Sequence, residues 1–308
     1  MDRRGALQRI LQVMPSVLGA TTVLPGTALL SGCAEVGTGY DETATPGTGP
    51  IAWPDDRPRT ALVLGSGGPR GFAHIGVLKV LEAAGIEPAL VVGSSAGAIA
   101  GSLYAARIAA VEIERRALSL GVTDIADPAF LRPNRFIGRA LQNFINVAVG
   151  DRVIERLPRR FCAVAAPVGR KELVAFTRGN TGAAVRASAA LPSMFLPTTI
   201  GNVEYEDGDM VSPVPIRIAR QLGATRVVAV DVSAFLDDTP ERAPESWRQR
   251  DAERRAIIDA EAVDADYLFR VRLPYYAGAS REYRENLIQL ATAQTTDALG
   301  RIASLLRG

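Results

Sequence analysis

Residues 61–103, ALVLGSGGPRGFAHIGVLKVLEAAGIEPALVVGSSAGAIAGSL, read as strand, glycine-rich turn, helix, strand, Gly-x-Ser-x-Gly turn and helix. The apolar run from Thr60 to Leu64 ends in four glycines, Gly65, Gly67, Gly68 and Gly71, and the run from Leu90 to Val92 ends in Gly93-Ser94-Ser95-Ala96-Gly97. A strand, a crossover helix and a second strand form a right-handed βαβ unit with parallel, usually adjacent strands. Both turns then fall at the carboxyl edge of the sheet, where open α/β folds bind their ligands. Gly71 opens the first helix, Phe72 to Ala84, in which Ile75, Leu78 and Leu81 recur on one face, and Gly85 suits its C-cap. Ser95 sits where the second strand turns sharply into a helix from Ala96 to Ala106, the arrangement of a nucleophile elbow. The facing glycine loop can offer backbone N–H groups to a developing oxyanion.

Further along, residues 108–158 are helical in pattern, with Phe136, Ile137, Leu141, Phe144 and Ile145 on one face. That face is expected to pack into the core, with a lid over an acyl-chain groove as the other reading. Strands are expected from Phe161 to Val168, Leu173 to Thr177 and Val203 to Glu206, with a small-residue helix from Thr181 to Leu191 between the last two. A helix closed by Gly223 leads to RVVAVDV at 226–232, which reads as a buried parallel strand. The alternating charges of 240–264 suggest a solvated helix. A final strand over Tyr267 to Leu273 and an amphipathic helix over Leu287 to Leu306, with Leu287, Leu290, Leu299, Ile302 and Leu306 inward, complete an α/β fold: one domain, 59–308, built on an open, mostly parallel sheet flanked by helices.

The chain begins differently. Arg3, Arg4 and Arg9 precede an apolar stretch, Ile10 to Leu30, that ends in Leu30-Ser31-Gly32-Cys33. This resembles a bacterial lipobox and implies that residues 1–32 are a lipoprotein signal peptide, cleaved before a Cys33 that becomes lipidated. An ordinary signal peptide or a retained anchor is the plainer reading of the same stretch. Residues 33–58, rich in Gly, Thr and Pro, are expected to be a flexible tether. The protein would then be exported and held at the cell envelope by lipid, facing the periplasm from the outer membrane in a host with two membranes. Without Arg3, Arg4, Arg9 and Asp2, the 35 basic and 33 acidic residues balance, which argues against electrostatic nucleic-acid binding. Two cysteines and one histidine cannot complete an ordinary four-ligand zinc site, and neither a metal nor a cofactor is expected. Cys162 reads as a small buried apolar residue.

A serine of ordinary basicity needs a neighbouring base. The single histidine, His74, lies inside the first crossover helix, where packing is the better reading, and no histidine follows it to complete a Ser-Asp-His order. Asp207, at the end of an extended segment and the start of an Asp-Gly turn, is the best remaining candidate, although such turns are common without any catalytic role. Asp209 is a second carboxylate in the same turn, and composition does not rank the two.

Four blocks, LGSGGPRGFAHIGVLKVLEAAGI, VVGSSAGAIAGSLYA, AVRASAALPSMFLPTTI and EYEDGDMVSPVPIRIARQLGATRVVAVDV, occur in the order found in bacterial patatin-like phospholipases, and the chain resembles that family over residues 59–306. The resemblance implies a patatin-like three-layer sandwich and a serine acyl hydrolase with a Ser-Asp dyad acting on membrane phospholipid esters. By the same resemblance, Ser95 is the nucleophile, Asp207 the base, and the backbone at Gly67, Gly68 and Arg70 the oxyanion hole, while His74 is structural. The chain departs from the family pattern at Ser66, which replaces a glycine, at Asp209, which is expected to push the Asp207 pKa up with a second negative charge, and at Ala165-Ala166-Pro167. These departures keep open an attenuated lipid-binding or scaffolding lipoprotein on the same fold. Nucleotide binding by the glycine loop is weaker, because Ser66 breaks the dinucleotide fingerprint.

Overall fold

The computed structural model describes residues 44–53, 58–121, 124–125, 127–129, 135–278 and 280–307. The expected signal peptide and Cys33 lie outside them. Eight strands form one sheet: β1 (Thr60–Leu64), β2 (Leu90–Ser94), β3 (Arg160–Pro167), β4 (Val174–Phe176), β5 (Thr198–Ile200), β6 (Val203–Asp207), β7 (Arg226–Asp231) and β8 (Tyr267–Arg270). Their order is β5-β6-β3-β2-β1-β7-β8, with β4 also paired to β3. The run β3-β2-β1-β7-β8 is parallel, while β4 and β6 meet β3 antiparallel and β5 meets β6 antiparallel.

The alternation within β1 decides the layering. Leu62 and Leu64 enter a core shared with α1 (Ala73–Ala83), α2 (Ala96–Ala105), α5 (Thr181–Ser188) and α8 (Arg281–Leu306). Ala61 and Val63 point through the opposite face toward α6 (Ile216–Gln221) and Ile258 of α7 (Glu245–Ala262). Strands buried on both faces need such continuous apolar runs, and each fully buried Leu or Val contributes about 1.5–3 kcal/mol. The expected layered α/β architecture is what the chain adopts. Cys162 lies in the second of these cores, fully buried.

Several local expectations change. Only Leu141, Phe144 and Ile145 belong to α4 (Arg139–Ala148); Phe136 and Ile137 precede it, with Phe136 bridged to Pro128 and Phe195, and Gly138 at positive φ starts the helix. Leu141 and Ile145 face the core, and Phe144 and Val147 line an outer cleft of about 510 Å³ with Arg116 of α3 (Ala110–Ser119). The three-residue β5 is too short to announce itself by period. In α8, Leu290 and Leu299 are half-buried; Ile288, Ala291 and Thr295 take the inward positions with Leu287, Ile302 and Leu306.

Residues 44–53, expected as part of a free tether, lie along the domain. Gly47 bridges to Arg178, Thr177 Oγ1 donates to the Gly49 carbonyl at 2.9 Å, and the Trp53 indole donates to the Leu222 carbonyl at 2.8 Å. The cause is the exposed backbone after β4, which this segment satisfies, together with the apolar surface beside Leu222 that the Trp53 ring covers. No helix among the described residues is long and apolar enough to cross a membrane.

Candidate active site

The carboxyl ends of β1, β2, β6 and β7 converge on one site. Ser95 follows β2 at φ 53° and ψ −119°, a conformation rare for a side-chain-bearing residue, and caps α2. The elbow requires close backbone packing on both sides. A Cβ on Gly97 would lie 2.0 Å from the Leu64 carbonyl oxygen, and one on Gly71 would lie 2.3 Å from the Ala96 Cβ. These two glycines let α2 approach the end of β1, which brings the glycine loop to Ser95.

Asp207 ends β6 and is 1% exposed. Ser95 Oγ donates to its Oδ2 at 2.6 Å, across 112 residues of sequence. Its Oδ1 accepts the Asp209 N–H at 2.8 Å, and its own N–H is held by the Ala190 carbonyl at 3.1 Å. Burial pushes the Asp207 carboxyl up to about 7 from 3.8; the Ser95 hydrogen bond and the Arg254 charge oppose this, and Glu206 adds to it. The expected upward push from Asp209 is corrected, because the Asp209 carboxylate is paired with the Arg254 guanidinium and accepts a hydrogen bond from Ser66 Oγ.

The glycine loop continues into a short 3-10 turn over Gly68–Phe72, with Pro69 near its start. The Gly67 and Gly68 N–H groups have no acceptor among the described residues. The Arg70 N–H, expected as a third oxyanion donor, instead closes the turn on the Gly67 carbonyl at 3.0 Å. The cause is the i to i+3 bonding of the 3-10 turn, which consumes the third amide. The Arg70 side chain ties the turn to the segment after β8 through the Tyr275 carbonyl. His74 is fully buried, bonds the Gly65 carbonyl through Nε2 at 2.7 Å, and is lowered to about 4 by burial, so it is neutral near pH 7 and braces the loop. Among the described residues, no three His, Cys, Asp or Glu side chains form a metal-binding group.

Three contributors escape a reading of the sequence. Ser188 of α5 accepts the Ser95 N–H at 3.0 Å, which fixes the strained elbow, and nothing in the small-residue run around it marks that role. Arg254 and Arg255 of α7 turn inward, Arg254 to Asp209 and Arg255 to Asp231 at 2.8 Å, instead of into solvent. One signal was available: buried Ile258 marks the inward face of α7, and one turn back from it come Arg254 and Arg255.

A family model described as patatin-like phospholipase matches residues 62–220, just over half of the chain. An uncharacterized NTE family protein of Mycobacterium tuberculosis is 34% identical over 180 residues, 57% of this chain and 49% of the relative. Patatin-like phospholipase domain-containing protein 6 of Homo sapiens is 34% identical over 183 residues, 56% of this chain and 13% of the relative. The chain thus aligns with about half of the length of the mycobacterial relative and a small part of the human one. The crystal structure of VipD from Legionella pneumophila shares the fold, with a TM-score of 0.58 at 14% identity over 83% of this chain and 70% of that one. The family match over residues 62–220, a segment that carries the glycine loop, Ser95 and Asp207, makes the chain a member of the patatin-like phospholipase family.

Proposed function

We propose that the chain is a serine acyl hydrolase that cleaves acyl esters of membrane phospholipids through a Ser95–Asp207 dyad. The observation that carries this reading is the 2.6 Å contact between Ser95 Oγ and Asp207 Oδ2 at a strained strand-to-helix elbow. Membership of the patatin-like phospholipase family supports the substrate class.

Ser95 Oγ attacks the ester carbonyl carbon while its proton passes to Asp207 Oδ2. An ordinary carboxylate is a weak base for this task, and the rise to about 7 brings Asp207 to the range where a general base works best near neutral pH. The Gly67 and Gly68 amides receive the developing oxyanion. Asp207 returns the proton to the leaving alcohol, then accepts one from the water that attacks the acyl-serine and hands it to Ser95 Oγ as the acyl–oxygen bond breaks, which releases the fatty acid and restores the free serine. His74 takes no part. The side chains of Ser66 and Asp209, the departures that suggested an attenuated hydrolase, bond each other and Arg254.

The test is release of free fatty acid from mixed phospholipid vesicles by the full chain. The reading expects turnover that falls at least about a thousandfold in both Ser95→Ala and Asp207→Asn; wild-type rates in either variant would overturn the dyad. The same proposal includes export and lipidation at Cys33, with the folded domain working at the bilayer surface. Cys33→Ala is then expected to move the protein from the membrane fraction to the soluble one, and unchanged fractionation would refute the anchor.

A further inference from the structure

Three strand ends and one helix meet behind the dyad. Ser66 follows β1, Asp209 follows β6, Ser233 follows β7, and Arg254 reaches them from α7. Asp209 Oδ1 accepts from Ser66 Oγ and from Arg254 Nη1, and Arg254 Nη2 donates to Ser66 Oγ and to Ser233 Oγ, each at 3.2 Å. The Arg254 and Asp209 side chains are each only 16% exposed. A pair so far from water is not a surface ion pair, and removing one partner strands the other's charge.

Two connections lead from this cluster to the chemistry. Ser66 directly precedes Gly67, so its hydroxyl bonds fix the start of the glycine loop. Asp209 donates its N–H to Asp207 Oδ1, the carboxylate oxygen that Ser95 does not use. Resting on the acyl-hydrolase reading, we propose that Arg254 is a positioning residue: its bonds to Asp209, Ser66 and Ser233 hold the glycine loop and the Asp207 turn in register, and its charge offsets Asp209 to set the field at the base.

Among the described residues, few groups act on Asp207: Ser95 from the start of α2, Glu206 from its own strand, Arg254 from α7, and Asp209 from the following turn, through its backbone N–H and with its carboxylate paired to Arg254. His74 of α1 is neutral near pH 7. Arg70 and Arg255 stand near Arg254, and Arg255 is matched by Asp231. Burial brings Arg254 down to about 10, so it remains cationic where the base titrates. Removing Arg254 leaves Asp209 facing Asp207 as a bare negative charge. Neutralising Asp209 instead leaves Arg254 as a bare positive one. The two changes have opposite electrostatic signs, whereas loss of a purely structural staple has none.

The experiment follows kcat/KM for hydrolysis of p-nitrophenyl butyrate by the full chain from about pH 5 to about pH 9, where the acid limb reports the free base. Arg254→Met is expected to move that limb up by about one unit or more, Asp209→Asn to move it down by a similar amount, and Arg254→Lys to return it close to the unaltered chain. Limbs that stay in place, or that shift in the same direction in both variants, would overturn the inference even if kcat falls. If Arg254→Met does not fold, Asp209→Asn and Arg254→Lys decide it: a downward shift in the first with little change in the second supports the inference, and any other pattern overturns it. An unaltered chain without Ser95-dependent turnover would overturn the acyl-hydrolase reading itself, a result distinct from active variants with unmoved limbs.

Discussion

Replacing Asp207 by Asn should make the folded protein more stable, and by an amount that depends on pH. The folded Asp207 carboxyl titrates near 7 against 3.8 for an unhindered one, so folded protein binds this proton more tightly than unfolded chain. Its contribution to stability is fully present below about 3.8 and is lost as pH rises through about 7. The difference is about three units, and at 1.36 kcal/mol per unit the buried charge costs about 4 kcal/mol at about pH 8.5. An Asn side chain copies the protonated acid: its carbonyl can accept the Asp209 N–H while its amide donates to Ser95 Oγ. Asp207→Asn is therefore expected to gain about 4 kcal/mol at about pH 8.5 and only about 1 kcal/mol at about pH 4.5. Urea unfolding at the two pH values measures both differences, and in a thermal melt the larger one corresponds to roughly 10 °C for a domain of this size. An Asn variant equal to or less stable than the unaltered chain at the higher pH would refute the account of a charge held there against its own desolvation.

The same carboxyl sets the rate profile. Ester hydrolysis should rise with pH through about 7, since only the ionised base takes the Ser95 proton; a flat profile between about pH 5 and about pH 8 would count against Asp207 as the base. Gly97→Ala drives a methyl group onto the Leu64 carbonyl, where backbone leaves little room to yield, and should destabilise the fold by about 3 kcal/mol or more in chemical denaturation. Ser188→Ala strips the buried Ser95 N–H of its acceptor and should lower stability by about 1–3 kcal/mol while Ser95 still faces Asp207, as read by unfolding alongside the hydrolysis rate.

The central βαβ unit was legible because its signals are local. Leu62 and Leu64 alternate with Ala61 and Val63 in a two-sided strand, glycines cluster where backbones must meet, and Ser95 stands between two of them. The Asp207 assignment needed the lack of any later histidine and a family resemblance, because contact with a serine 112 residues away leaves no periodic trace. The charged face of α7 misled for the same reason. Arg254 looks solvated in a run of charges, and although Ile258 one turn on marks its side of the helix as inward, its partner Asp209 lies far away in sequence. The Arg70 amide was open to a closer reading, since Pro69 near the start of the turn favours the 3-10 closure that consumes it.

The central claim is that Ser95 is an activated nucleophile, and covalent capture tests it most directly. The full chain is treated with a fluorophosphonate, and the modified peptide is identified by mass spectrometry. The account predicts a single adduct on Ser95 that is absent from Ser95→Ala and strongly reduced in Asp207→Asn. A folded, unaltered chain that takes up no label at Ser95, or takes it up equally in Asp207→Asn, would contradict it.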